Sequence, residues 1–297
     1  MLKVLGLGDN VVDIYLHTNT MYPGGNALNF AVYAQFLGYT ASYMGVFGDD
    51  APAAHVYRTA QSLGLDLSHC RFCSGENGMA RVTLVDGDRV FLPSNKGGVC
   101  KLHPWELTRL DEQYVQGFDL VHSSRYSYAE GILPRLKQLG VRLSFDFSND
   151  YPEEYLQQVC PFLFSAVLSC GHLEDEAVRE LALRVQELGP ELVLATRGAR
   201  GALLLAGGEF FEQSPCLVQA LDTLGAGDSF LTAFLCSYLD GMKYAADLPS
   251  AGGDRGLTSK HDYRRALIQV SLHKAAVFSA ESCLRSGAFG FGAEFRL

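Results

Sequence analysis

Short apolar runs alternate with amphipathic stretches along most of the chain, and that alternation predicts the fold class. Residues 2 to 8 form an apolar run that stops at Asp9, the pattern of a buried strand. Residues 26 to 38 place Ala27, Phe30, Ala31, Ala34 and Leu37 on one stripe at helical spacing and end at Gly38. A strand is predicted over 41 to 47 and a helix over 52 to 63, stopped by Gly64. Residues 79 to 92 alternate apolar and polar positions around Asp86, Gly87 and Asp88, a hairpin pattern. Strand-like runs follow at 119 to 124, 141 to 148, 164 to 170 and 191 to 198. Helical patterns lie between them near 130 to 139, 153 to 159 and 173 to 188, and residues 201 to 213 read as a second hairpin. Two helices close the chain, at about 226 to 239 and 263 to 280. Strands alternating with helices predict an α/β fold with a mostly parallel sheet covered by helices on both faces. Residues 241 to 262 are polar and glycine-rich and read as a long surface loop. No composition shift marks a linker, so 1–297 is expected to be a single domain, with a small β lid formed by about 10–23 and 76–98.

Composition narrows the function classes. The 297 residues are 48% hydrophobic and 19% charged, the balance of an ordinary soluble enzyme with room for a large core. A net charge of −9 makes nucleic acid and anionic membrane poor partners. No apolar stretch is long enough to span a bilayer, and Asp9 cuts the first apolar run too early for a signal peptide, so a cytoplasmic location is expected. The eight cysteines are then expected to be reduced. Cys70 and Cys73 form a C-x-x-C pair with no second half, which reads as two semi-buried thiols rather than a metal site.

The densest chemistry lies in LDTLGAGDSFLTAFL, residues 221 to 235. A glycine-rich turn entering a helix leaves backbone N–H groups unpaired at the positive end of the helix dipole, which suits an anion. Gly225, Ala226 and Gly227 are small enough to let a phosphate approach the backbone. Asp228, in the first helical turn, is placed to take the proton of an alcohol attacking that phosphate. A plain helix start explains one acid by dipole complementarity. It does not explain Asp222, Thr223 and both glycines as well.

Asp222-Thr223-Leu224-Gly225-Ala226-Gly227-Asp228 resembles the D-T-x-G-A-G-D signature of the PfkB (ribokinase-like) carbohydrate kinases. The family's other signature is matched by Gly24-Gly25-Asn26-Ala27-Leu28-Asn29, followed by a helix and Leu37-Gly38. The resemblance implies a ribokinase-like fold with ATP and Mg2+ as cofactors. It implies Asp228 as catalytic base, with Gly225, Ala226 and Gly227 as the anion hole. Asp13, Gly25 and Asn29 are implied to hold sugar hydroxyls, although each alone reads equally well as a turn or helix-face residue. Thr196, Gly198 and His273 fall where the family binds nucleotide, with His273 in place of a frequent Asn. Glu174 matches a glutamate linked indirectly to magnesium in an N-x-x-E motif whose Asn position is filled here by Gly171. Asp222 is implied, by resemblance alone, to help hold a monovalent cation such as K+, and lid pairing in relatives implies a homodimer.

Within the family, GDNVVDIY, MYPGGNALNFAVY and SFDFS are similar to fructoselysine 6-kinases. The expected reaction is transfer of the γ-phosphoryl group of ATP to a hydroxyl of a sugar or sugar–amine adduct. Such an adduct calls for a charged partner, and His122, Arg125 and Lys96 are candidates, each also readable as a solvated surface residue. Alternatives stay open: a kinase for a plain ketose, nucleoside or phosphosugar on this fold, or a catalytically silent sugar-binding or regulatory protein. Other motifs exclude themselves. Gly6-Leu7-Gly8 has Val11 where a dinucleotide fingerprint needs its third glycine, and neither a P-loop nor a G-x-S-x-G elbow occurs.

Overall fold

The structure is a computed structural model and describes residues 1–85, 88–247 and 259–295. In chain order its strands and helices are β1 (Lys3–Gly8), β2 (Val11–Tyr15), β3 (Thr20–Gly24), α1 (Asn26–Phe36), β4 (Thr40–Phe47), α2 (Ala51–Ser62), β5 (Arg71–Phe72), β6 (Gly78–Val85), β7 (Asp88–Leu92), α3 (Gly98–Leu102) and α4 (Arg109–Val115). There follow β8 (Leu120–Ser124), α5 (Leu133–Gln138), β9 (Leu143–Asp146), α6 (Glu153–Val159), β10 (Ser165–Ser169), α7 (Asp175–Glu187), β11 (Leu192–Thr196), β12 (Ala202–Ala206), β13 (Glu209–Gln213), α8 (Ala226–Met242), α9 (Lys260–Ser282) and β14 (Ala293–Glu294).

Nine strands form one sheet in the order β13-β12-β11-β10-β9-β8-β1-β4-β5. It is parallel from β5 to β11, and β12 and β13 add an antiparallel edge. The alternation in β1 shows how the chain fills both faces. Leu2 and Val4 join the apolar layer of α1, α2, α8 and α9, whereas Leu5 and Leu7 join that of α3 to α7. Side chains of successive strand residues point to opposite faces, so a strand covered on both sides reads as a continuous apolar run.

A second sheet has the order β14-β3-β2-β6-β7. Its β2, β3, β6 and β7 lie within the segments expected to form the lid, and β14 brings a strand from the far end of the chain, Ala293 opposite Met21. The tip of the predicted hairpin at Asp86 and Gly87 lies outside the described residues.

Helix boundaries follow local capping. The Asp50 side chain accepts from the Ala53 N–H at 2.8 Å and starts α2, with Pro52 in its first turn. Thr108 and Asp111 form a reciprocal capping box at α4, a helix too short to show in the apolar pattern. Two expectations are corrected. The predicted loop over 241 to 262 begins later, because α8 reaches Met242 and a 3-10 turn continues over Lys243–Asp247, with Ala245 buried. The last long helix starts at Lys260 because Ser259 caps it, accepting from the Asp262 N–H at 3.1 Å. Residues 248–258 of that loop lie outside the described residues.

Candidate active site

The start of α1 is built by a residue far from it in sequence. Gly25 sits at φ +111°, a conformation that favours glycine, and a Cβ there would lie 2.7 Å from the Asn10 Cα. Gly25 has no capping side chain, so Asp9, just past the end of β1, supplies the cap. Its carboxylate accepts from the backbone N–H of Asn26 at 2.7 Å and of Ala27 at 3.2 Å. The hydroxyls of Ser124 and Ser127 also donate to it, at 3.0 and 2.8 Å. The cap fixes Asn26 and Asn29, one turn apart, at the C-terminal end of the parallel sheet.

Both asparagines hold Asp228. The Asn29 amide donates to Oδ2 at 2.6 Å and the Asn26 amide to Oδ1 at 2.8 Å. Asn26 also donates to Asp146 Oδ2 at 2.8 Å, so one NH2 group bridges two carboxylates. Its carbonyl oxygen accepts from His122 Nε2 at 2.8 Å, and His122 Nδ1 accepts from the Ser144 hydroxyl at 3.1 Å. Asparagine oxygen only accepts, which assigns the His122 proton to Nε2. His122 is fully buried and stacked on Phe30, and burial pushes its pKa down to about 3. It is therefore neutral, and its candidacy as a charged partner for substrate is corrected. It orients Asn26 instead.

The two carboxylates respond to this setting. Burial first, then the negative charges of Asp146 and Asp9, raise the Asp228 pKa to about 7, against the hydrogen bonds from Asn29 and Asn26 that lower it. Burial raises Asp146 to about 6, opposed by the Ser148 N–H and Asn26, while Asp9 adds to the rise. A base that is half ionised near neutral pH is well matched to taking a proton from an alcohol. Asp13 on β2 is buried against the same turn, where a Cβ on Gly24 would stand 2.3 Å from its Oδ2.

The turn before α8 forms as the glycine spacing suggests. Gly225 is left-handed at φ +75°, and a Cβ on it would lie 2.5 Å from the Tyr33 hydroxyl. Ala226 N–H bonds weakly to Thr223 O at 3.3 Å, while among the described residues the N–H groups of Gly227 and Asp228 have no hydrogen-bond partner. Around Gly227 nothing lies within 4 Å of a would-be Cβ, so the approach to the backbone is open. Asp222 does different work. It accepts from the Tyr15 hydroxyl at 2.5 Å, the Gly287 N–H at 2.9 Å and the Leu224 N–H at 2.8 Å, tying β2 and the C-terminal turn to the start of α8.

No hydrogen bond among the described residues links the remaining sequence candidates to Asp228. Thr196 ends β11, Gly198 follows at φ +59°, and Glu174 is exposed at the N-terminus of α7. Gly171 is exposed, with its carbonyl accepting from Arg200 at 3.1 Å. His273 is exposed on α9, the helix whose Ser279 hydroxyl donates to Ala226 O at 2.9 Å. Lys96 is exposed at the end of the small-sheet segment, and Arg125 follows β8. Among the described residues no group of three His, Cys, Asp or Glu side chains is arranged to hold a metal. All eight cysteines are free. Three residues of the carboxylate centre, Asn26, Asp146 and Asp9, were not singled out by sequence as functional. Asn26 stands inside the G-G-N-A-L-N motif and Asp146 inside SFDFS, so the motifs held the signal without showing which side chains converge.

Comparison with known proteins gives consistent results. The model of the pfkB family carbohydrate kinases matches residues 2–248. The fructosamine kinase FrlD of Bacillus subtilis (strain 168) is 39% identical over 297 residues, covering 100% of this chain and 96% of that protein. The fructoselysine 6-kinase of Escherichia coli (strain K12) is 34% identical over 242 residues, 82% of this chain and 91% of that protein. Among solved structures, a ribokinase from Giardia lamblia superposes with a TM-score of 0.77 over 97% of this chain and 94% of its own, at 16% identity, a likeness of fold. No helix of the described residues is long and apolar enough to cross a membrane.

Proposed function

The chain belongs to the pfkB family of carbohydrate kinases, and from that premise we propose that it is a fructosamine kinase, transferring the γ-phosphoryl group of ATP to O6 of fructoselysine. ATP-dependent sugar phosphorylation follows from the family. The fructosamine substrate rests on the two curated relatives. The single observation that carries the assignment of roles is the Asp228 carboxylate, clamped by the amides of Asn29 and Asn26 at the N-terminus of α8.

Phosphoryl transfer asks the protein for position and charge neutralisation more than covalent chemistry. Asp228 accepts the proton of the attacking hydroxyl at a carboxylate oxygen. Asn29 and Asn26 keep that carboxylate aimed, and the N–H groups of Gly227 and Asp228 with the α8 dipole face the transferred group. Asp13, Gly25 and Asn29 hold the sugar, and closure of the small sheet over it excludes water, the competing acceptor. Thr196, Gly198 and His273 are assigned to the nucleotide. Among the described residues no group of three His, Cys, Asp or Glu side chains is arranged to hold a metal, so Mg2+ would come with the nucleotide phosphates and neutralise their charge, with Glu174 the residue that would hold it indirectly. The oxygens of Asp222 accept from three donors of the chain itself, and no step here uses a potassium ion. Free thiols suit a cytoplasmic enzyme. Pairing of two copies through the small sheet is part of the proposal, and sedimentation showing only monomer counts against it.

The test is ADP release over a panel of fructoselysine, fructose, ribose and nucleosides, with the phosphorylated carbon of the product located by NMR. Fructoselysine preferred, with phosphate at C6, supports the reading. Preference for fructose or a nucleoside overturns the substrate, and binding without turnover of any member overturns the kinase.

A further inference from the structure

Beside the carboxylate centre lies a charged platform that neither proton transfer nor phosphate binding uses. Arg125 directly follows β8, and Asp150 lies four residues beyond the end of β9, the strand that carries Asp146. Arg125 Nη2 donates to Asp150 Oδ2 at 2.6 Å. The Arg125 guanidinium is held 4.6 Å over the ring of Tyr155, whose hydroxyl is itself fixed by a bond to Glu130. The Arg125 side chain is 24% exposed and that of Asp150 62%. An exposed pair of this kind contributes little to folding, so stability does not account for its construction.

The backbone around the pair is unusual. Five non-glycine residues among those described have positive φ, and three of them converge here: Ser148 at 58°, Tyr128 at 53° and Lys96 at 49°. The Tyr128 hydroxyl bonds to Lys96 O at 2.5 Å, and the Tyr126 hydroxyl to the Ser148 hydroxyl at 3.4 Å, which links the segments of the platform. Ser148 N–H in turn bonds Asp146 at 2.7 Å, so the platform is continuous with the centre. Backbone held in sparsely populated conformations on several adjoining loops is a mark of a binding surface. Position agrees. His122, which touches Asn26, precedes Arg125 by three residues, roughly 10 Å along a strand. A sugar with its reacting hydroxyl at Asp228 directs its far substituent across such a distance.

We infer that Arg125 and Asp150 form the subsite for the free amino-acid end of the substrate, a zwitterion bearing one carboxylate and one ammonium. This rests on the fructosamine reading above. The guanidinium takes the carboxylate in a forked contact and Asp150 takes the ammonium. Binding exchanges one ion pair for two and adds no net charge. A plain sugar, or an amine adduct without the zwitterion, leaves the pair closed on itself.

The experiment compares wild type, Arg125→Met, Arg125→Lys and Asp150→Asn on two substrates, fructoselysine and 1-butylamino-1-deoxyfructose. The second keeps the sugar and secondary amine and lacks the zwitterion. Arg125→Met is expected to raise KM for fructoselysine by roughly tenfold, the loss of one charge-assisted contact. Its kcat is expected to hold, and KM for the butylamine adduct to stay within about twofold on the same grounds. Arg125→Lys recovers part of the loss, and with Asp150→Asn keeps the comparison available should the Met variant not fold. Equal rises for both substrates, or no rise for either, overturn the subsite and leave the fructosamine reading standing. Wild type that phosphorylates the butylamine adduct but not fructoselysine overturns the subsite and the choice of fructoselysine, and wild type that phosphorylates neither adduct overturns the fructosamine reading itself.

Discussion

Replacing Asp146 by Asn should move the acidic limb of the pH–rate profile to lower pH. One Asn26 nitrogen donates to both carboxylates at 2.8 Å, which puts the bonded oxygens about 5 Å apart when the bonds follow the two N–H directions. Two unit charges at that distance repel by about 3 kcal/mol at an effective dielectric constant of 20. That is an upper bound, because burial is the larger cause of the rise from 3.8 to about 7 and the Asn26 amide screens the pair. A share of about one pKa unit is the reasonable expectation. The sign is fixed by the chemistry: removing a negative neighbour favours the ionised form of Asp228, so its pKa falls. The base is then ionised at lower pH, and kcat/KM for sugar should keep its neutral-pH value further into acid. The assay is ADP release at low sugar and saturating ATP between pH 5 and 8.5, comparing the midpoint of the limb rather than its height. Loss of a direct contact between Asp146 and sugar would lower the height without moving the midpoint. A midpoint unchanged or shifted upward would refute the coupling, and with it Asp228 as the group that sets the limb.

Three further predictions test separate parts of the structure. Gly225→Ala places a Cβ 2.5 Å from the Tyr33 hydroxyl at φ +75° and should destabilise the fold by about 1–3 kcal/mol, seen as a lower Tm with loss of activity; an unchanged Tm would contradict the geometry. Asp222→Asn turns one acceptor into a donor facing Tyr15 or a backbone N–H and should cost about 2–3 kcal/mol by denaturant titration; a purely potassium-dependent loss of activity at unchanged stability would restore the cation role. A Cβ at the exposed Gly171 would meet nothing nearer than 3.9 Å, so Gly171→Asn should fold normally while lowering KM for ATP, and a raised KM would show that the family's Asn position is not used here.

The sequence shows some of this site and hides the rest for definite reasons. The main sheet was legible because its strands are covered on both faces, which writes continuous apolar runs such as those at β1, β10 and β11. In the second sheet the β6–β7 hairpin was legible from the alternation at 79–92, whereas Asp13 and Thr20 interrupt the pattern in β2 and β3 and β14 is two residues long, so the order in which the strands pair was not. Asp228 and its glycines were legible because they are crowded into one turn. Asn26 was not, because an asparagine at a helix start has ordinary local explanations. Its function depends on His122 and Asp146, which are 96 and 120 residues away. The neutrality of His122 is likewise a property of burial, which no local pattern discloses.

The most direct test measures ADP release and sugar binding with fructoselysine in wild type and Asp228→Asn. The account predicts that the variant binds fructoselysine with affinity within a few-fold of wild type while kcat falls by roughly 10²–10⁴. Turnover unchanged in Asp228→Asn would contradict it.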